Sequence, residues 1–168
     1  GNSPEFVVVF LAVAEVGAVA APLNAAYTEA EFRFYIEDAG SKVVVVHADG
    51  HANRAEPAVE AAKGLSLPIW AAECTKLGDT NASIGVGVST ATALGEKRDP
   101  SQPSPEDEVL FLHTSGTTSR PKGVPLSHRN LVTSLENIAK TYDLTCDDTT
   151  LLVMPLFHVH GLIAALLT

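Results

Sequence analysis

Val109-Leu110-Phe111-Leu112-His113-Thr114-Ser115-Gly116-Thr117-Thr118-Ser119-Arg120-Pro121-Lys122-Gly123-Val124-Pro125-Leu126 reads as strand, loop and strand. Val109 to Leu112 is a compact apolar run of strand length. Beyond the loop, Pro125 biases Val124 toward extended backbone and has no N–H for a helical ladder, so Val124 to Leu126 is also extended. Between these runs, Ser, Thr and Gly surround Gly116, and Arg120 and Lys122 follow. Backbone N–H groups, hydroxyls and two cations can thus converge on one anion. The nucleotide loop G-x-x-x-x-G-K-[ST] does not fit, because Pro121 rather than glycine precedes Lys122 and no helix follows.

The charge pattern points the same way. The chain has 168 residues, 20 of them Asp or Glu, yet none lies between Glu108 and Glu136. Arg120, Lys122 and Arg129 stand unopposed in sequence. The net charge of −9 opposes a nucleic-acid surface, so the basic residues form a local site and no nucleic-acid partner is expected. A hydrophobic content of 46% with 18% charged residues suits one substantial core. Cys74 and Cys146 are isolated from each other and from any zinc-like spacing, which fits free thiols in a reducing compartment.

The loop Thr114-Ser115-Gly116-Thr117-Thr118-Ser119-Arg120-Pro121-Lys122-Gly123 resembles the phosphate-binding signature of the adenylate-forming, AMP-binding enzymes. Its Ser-Arg-Pro-Lys version, with His113 before it, is most like the oxalate-CoA ligase branch. Met154-Pro155-Leu156-Phe157-His158 is similar to the family's Pro-x-Phe-His segment beside the acyl pocket. Ser119 departs from the glycine usual in the family; an ordinary negative φ is expected there.

The resemblance implies ATP-dependent activation of a carboxylic acid as an acyl adenylate, followed by transfer to CoA. Oxalate is the favoured small carboxylate, with other acyl-CoA or 4-coumarate-CoA ligase-like activity and a non-catalytic nucleotide-binding fragment as alternatives. It further implies that Thr114, Ser115, Gly116, Thr117 and Thr118 wrap the β- and γ-phosphates, with Ser119, Arg120, Lys122 and Gly123 completing the binding loop. Lys122 and His158 take the catalytic positions, the first countering phosphate charge and the second lining the nucleotide and acyl pocket. ATP, Mg²⁺ and CoA are the implied cofactors, the Mg²⁺ arriving with ATP and ligated mostly by phosphate and water. No protein-held metal site is expected, since neither His158 with His160 nor His47 with His51 has a third ligand nearby.

The family's later aromatic-Gly-x-Thr-Glu segment, ribose-binding aspartate and C-terminal lysine do not occur in this sequence. The expectation is therefore part of the large N-terminal domain of an adenylate-forming enzyme, inactive by itself. Its α/β fold should be a mostly parallel open sheet with flanking helices. Residues 1–76 read as helix-strand repeats, 77–106 as a linker or surface excursion with an extended piece at Ser83 to Val88, and 107–168 as the phosphate-loop and acyl-pocket segment.

Within the repeats, Ser3 and Pro4 open an apolar helix that Gly17 stops, too short to span a membrane. Ala18 to Ala21 is a short strand. Thr28-Glu29-Ala30-Glu31 is a capping box for a helix closed by Gly40. Lys42 to His47 is a strand covered on both faces, ending at a solvated turn. Ala52 to Lys63 is a helix, with Pro57 an unfavourable residue for its middle, and Leu67 to Ala71 a strand. Later, Ser127 caps a helix with Leu131, Leu135, Ile138, Ala139 and Tyr142 on one face. Thr149 to Val153 is a strand, and Gly161 to Leu167 an apolar helix. The opening Gly-Asn-Ser carries no signal-peptide pattern, and a cytoplasmic location is expected, with a peroxisomal one open.

Overall fold

The computed structural model describes residues 2–48, 52–75, 83–88, 102–114 and 121–168. They form two compact units, one of residues 1–2, 10–22 and 100–168, the other of residues 3–9 and 23–99.

In the second unit a helix-strand pattern folds as the α/β class requires. Helix α2 (Glu29–Asp38) starts at the expected capping box. The Thr28 N–H donates to Glu31 Oε2 at 2.8 Å, and the Glu31 N–H donates to Thr28 Oγ1 at 3.3 Å. The Thr28 N–H first, and then the Thr28 hydroxyl donating to the same oxygen at 2.7 Å, favour the ionised carboxylate and hold the Glu31 carboxyl below its ordinary value. Gly40, at φ +59°, turns the chain out of the helix. Strand β1 (Val44–His47), helix α3 (Ala52–Gly64) and strand β2 (Ile69–Thr75) form a βαβ unit, with β1 parallel to β2 from Val44↔Ile69 to His47↔Ala72. Strand β3 (Ser83–Val88) adds antiparallel on the far side of β2. Pairing is therefore more mixed than a mostly parallel sheet.

The core of this unit is Phe32, Ile36, Ala58 and Ala61, with Val44, Val46, Leu65 and Leu67 packed against it. The helix expected at Ala52 to Lys63 is present, and the expectation for β1 changes. Pro57 lies inside α3 without breaking it. It forfeits one backbone bond, and burial of Ala58, Ala61 and Ala62 against the core outweighs the loss. No residue of β1 is fully buried, because β1 is a border strand of the described sheet rather than an interior one.

The His47 side chain meets a buried carboxylate, while the turn expected after it lies outside the described residues. Its Nε2 lies 3.1 Å from Oε2 of Glu5, a carboxylate only 8% exposed in the first turn of helix α1 (Pro4–Glu15). A carboxylate there also meets the positive end of the helix dipole. Ser3 Oγ accepts from the Phe6 N–H at 3.3 Å, as a cap should.

Tyr27 stacks on Tyr35, ring centroids 4.8 Å apart, and its phenol is pushed up to about 12, first by burial and then by the hydrogen bond with Tyr35. A raised folded-state value adds stability below the ordinary value of 10.0 and loses it as pH rises through about 12. Tyr27→Phe, which keeps the stack, should therefore flatten the loss of stability between these pH values. Parallel unfolding curves for the two proteins across that range would contradict this origin.

The first unit is built on strand β4 (Glu108–Thr114), strand β5 (Lys122–Ser127) and helix α4 (His128–Tyr142). β4 and β5 form an antiparallel hairpin. The strand expected at Ala18 to Ala21 contracts to a parallel bridge between Ala20 and Leu110. Ala20 donates to the Val109 carbonyl at 2.9 Å and accepts from the Phe111 N–H at 2.8 Å. Leu110 is fully buried. Because Phe111 turns its N–H toward Ala20, its partner Pro125 lies where no ladder bond between β4 and β5 is required, and the missing N–H of Pro125 costs nothing.

Ser127 caps α4 with Asn130. Leu131 is buried on the expected face, whereas Tyr142 in the last turn is 73% exposed, so that face ends before it. Helix α4 packs on β5 and on a last helical segment, His160–Leu167, wound with the wider turn of a π-helix. No strand forms at 149–153. Leu151 and Val153 are 83% and 73% exposed, and among the described residues no strand takes up their backbone groups.

Candidate phosphate-binding site

The register of the hairpin sets the mouth of the Ser/Thr/Gly loop. β4 ends at Thr114 and β5 begins at Lys122, and these two residues are cross-strand partners. The two expected strands are thus present and paired, and Thr114 and Lys122 sit about 5.5 Å apart, the spacing of a hydrogen-bonded pair. Directly paired side chains project to the same face of a sheet, so a hydroxyl and an ammonium stand side by side at the mouth. Both residues are exposed. Ser115, Gly116, Thr117, Thr118, Ser119 and Arg120 lie outside the described residues, as does the φ angle expected of Ser119.

One step below the mouth, His113 pairs with Gly123. The His113 ring meets Phe111 edge to face, centroids 5.1 Å apart and planes at 84°. A Cβ placed on Gly123 would collide with the end of the Phe111 ring, which occupies the space a side chain would take.

Arg129 is not unopposed. Its Nε donates to Glu106 Oε1, and its backbone N–H donates to the Pro105 carbonyl at 2.8 Å. The acidic partner lies outside the acid-free stretch, and the fold returns it. Arg129 therefore serves the start of α4, while Lys122 remains at the loop mouth.

His158 belongs to the same compact unit as Thr114, Lys122 and Gly123. The His158 N–H donates to the Pro155 carbonyl at 3.1 Å, and its Nδ1 accepts from the His160 N–H at 3.3 Å. An accepting Nδ1 places the proton of the neutral ring on Nε2, so His158 offers one outward N–H donor from an exposed side chain.

Sequence reasoning missed Asn2. Its Nδ2 donates to the Met154 carbonyl at 2.9 Å and its Oδ1 accepts from the Leu156 N–H at 2.8 Å, gripping the segment just before His158. A single Asn carries no signal for so distant a partner. Gly161 closes the same turn, where a Cβ would strike the Pro155 carbonyl. Among the described residues, no group of three His, Cys, Asp or Glu could hold a metal ion, and no helix is long and apolar enough to cross a membrane.

Residues 1–168 match the family described as AMP-binding enzyme. An oxalate-CoA ligase of Arabidopsis thaliana is 47% identical over 99% of this chain and 31% of its own length. One of Saccharomyces cerevisiae is 37% identical over 99% of this chain and 33% of its own. The chain thus spans about a third of the length of these relatives. Among solved structures, ATP-bound MatB of Rhodopseudomonas palustris is 29% identical with a TM-score of 0.66, over 97% of this chain and 30% of that one. A malonyl-CoA ligase in a ternary product complex with methylmalonyl-CoA and AMP is 25% identical with a TM-score of 0.69, over 98% and 30%. The loop signature, the hairpin that presents it and the match along the whole chain lead to one conclusion: this chain belongs to the AMP-binding enzyme family.

Proposed function

We propose that this chain supplies the phosphate-binding part of an AMP-forming acid-CoA ligase. In this reaction a carboxylate oxygen attacks the α-phosphorus of ATP and pyrophosphate leaves. The CoA thiol then attacks the acyl carbonyl and AMP leaves. The observation that carries the reading is the Thr114↔Lys122 pairing, which puts a hydroxyl and a cation together at the mouth of a Ser/Thr/Gly loop.

Charge builds on the departing pyrophosphate, and fixed donors aimed at it lower the barrier. In this reading Thr114, Ser115, Gly116, Thr117, Thr118, Ser119, Arg120 and Gly123 cradle the β- and γ-phosphates, and Lys122 neutralises them. Bound Mg²⁺, ligated mostly by phosphate and water, offsets further phosphate charge. The outward Nε2–H of His158 suits a donor to the nucleotide or the acid.

Oxalate is the proposed acid. It is supported by the names of two of the relatives and by the Ser119-Arg120-Pro121-Lys122 variant of the loop. A dianion offers almost no apolar surface, so its site must be small and supply several donors or a cation. In a full-length enzyme carrying this chain, oxalate should support ATP–pyrophosphate exchange and CoA thioester formation. Its kcat/KM should be far above that for a medium-chain or hydroxycinnamic acid. A preference for the larger acids would overturn oxalate and leave the adenylating reaction standing. No exchange with any carboxylate would overturn the reaction itself.

A further inference from the structure

We infer that Phe111 is a positioning residue for the phosphate loop, and that position 123 is glycine because the Phe111 ring fills the space of its side chain. The inference rests on the phosphate-binding reading of this loop.

Three observations on the hairpin carry it. The Phe111 ring covers Gly123 from the neighbouring cross-strand position. The same ring holds His113 edge to face. His113 and Gly123 are direct partners one step below Thr114 and Lys122. In an antiparallel hairpin this pair is of the non-hydrogen-bonded kind, because Phe111 two residues earlier directs its N–H to Ala20. At such a pair the strands are held by side-chain contact rather than by backbone bonds. Glycine supplies none, and an aromatic ring laid across it supplies the missing contact. The ring thus clamps both strands directly beneath the residues that face the phosphate.

Backbone position is what this clamp controls. An ångström of misplacement at a reacting group costs up to about a hundredfold in rate, so slack at the Thr114 and Lys122 pair is felt in nucleotide use. Phe111 touches neither substrate nor cofactor in this account. It acts through the pair above it.

The test uses a full-length enzyme carrying this chain, with ATP, carboxylate and CoA varied separately and thermal unfolding followed for each variant. Phe111→Ala should raise the KM for ATP about tenfold, with the KM values for the acid and CoA unchanged. Gly123→Ala should do the same by displacing the ring. Phe111→Leu combined with Gly123→Ala should recover part of the loss seen in Gly123→Ala alone, since a shorter side chain makes room for the added methyl. That recovery also decides the matter if Phe111→Ala fails to fold.

An unchanged KM for ATP in Phe111→Ala, a uniform loss in all three substrates, or a double variant no better than Gly123→Ala would each overturn the inference. Lys122→Ala, run in parallel, separates the two levels. If Lys122→Ala impairs ATP use and the Phe111 variants do not, only the positioning role falls. If Lys122→Ala has no effect, the phosphate reading falls and the positioning role with it.

Discussion

Leu110→Ala is expected to lower the unfolding free energy by about 2–5 kcal/mol, the range for emptying a fully buried leucine site. Leu110 has no exposed surface and sits on β4, with β5 on one side and the Ala20 bridge on the other. With bonded backbone on both flanks, the site has little freedom to collapse onto the vacated space, which favours the upper part of that range. Denaturant unfolding with an unchanged slope measures the effect directly. A loss under about 1 kcal/mol would show that Leu110 does not anchor this hairpin. Because the same strand ends at Thr114, the variant should also weaken nucleotide use in a full-length enzyme.

Lys122→Ala is expected to lower kcat/KM for ATP in a full-length enzyme by about ten- to a hundredfold. This corresponds to the ~1.5–3 kcal/mol of one charge-assisted contact to phosphate. Lys122 is exposed and begins β5, so its removal should leave stability nearly untouched. That separation of activity from stability distinguishes it from Leu110→Ala. Lys122→Arg keeps the charge but replaces a compact ammonium with a planar fork, and partial retention is expected. An Ala variant with wild-type kcat/KM for ATP would remove Lys122 from the site.

Much of the local structure was legible because its determinants lie within a few residues of one another. Thr28 with Glu31 announces α2, Ser127 announces α4, and Gly17 and Gly40 mark left-handed turns at φ +68° and +59°. The extended runs on either side of the Ser/Thr/Gly loop were likewise plain from their apolar residues and from Pro125. Packing overrode local signals in two places. Pro57 argued against a continuous α3, and the buried alanines overrode it. Thr149 to Val153 had strand composition, yet a strand exists only beside another, and among the described residues it has no neighbour.

The sequence by itself determined the chemistry available, namely a loop of small hydroxyl residues with two cations between two short strands, and the capped helices around it. Only the tertiary structure decided which groups meet. It pairs Arg129 with Glu106, turns the buried Glu5 to His47, grips the Met154–Leu156 segment with Asn2, and lays Phe111 across Gly123 beneath the Thr114 and Lys122 pair. The physical reason is the range over which each choice is made. Caps and turns are settled by bonds spanning three or four residues, whereas strand register and long-range polar pairs are settled by burial and backbone pairing across the unit, which no local pattern encodes.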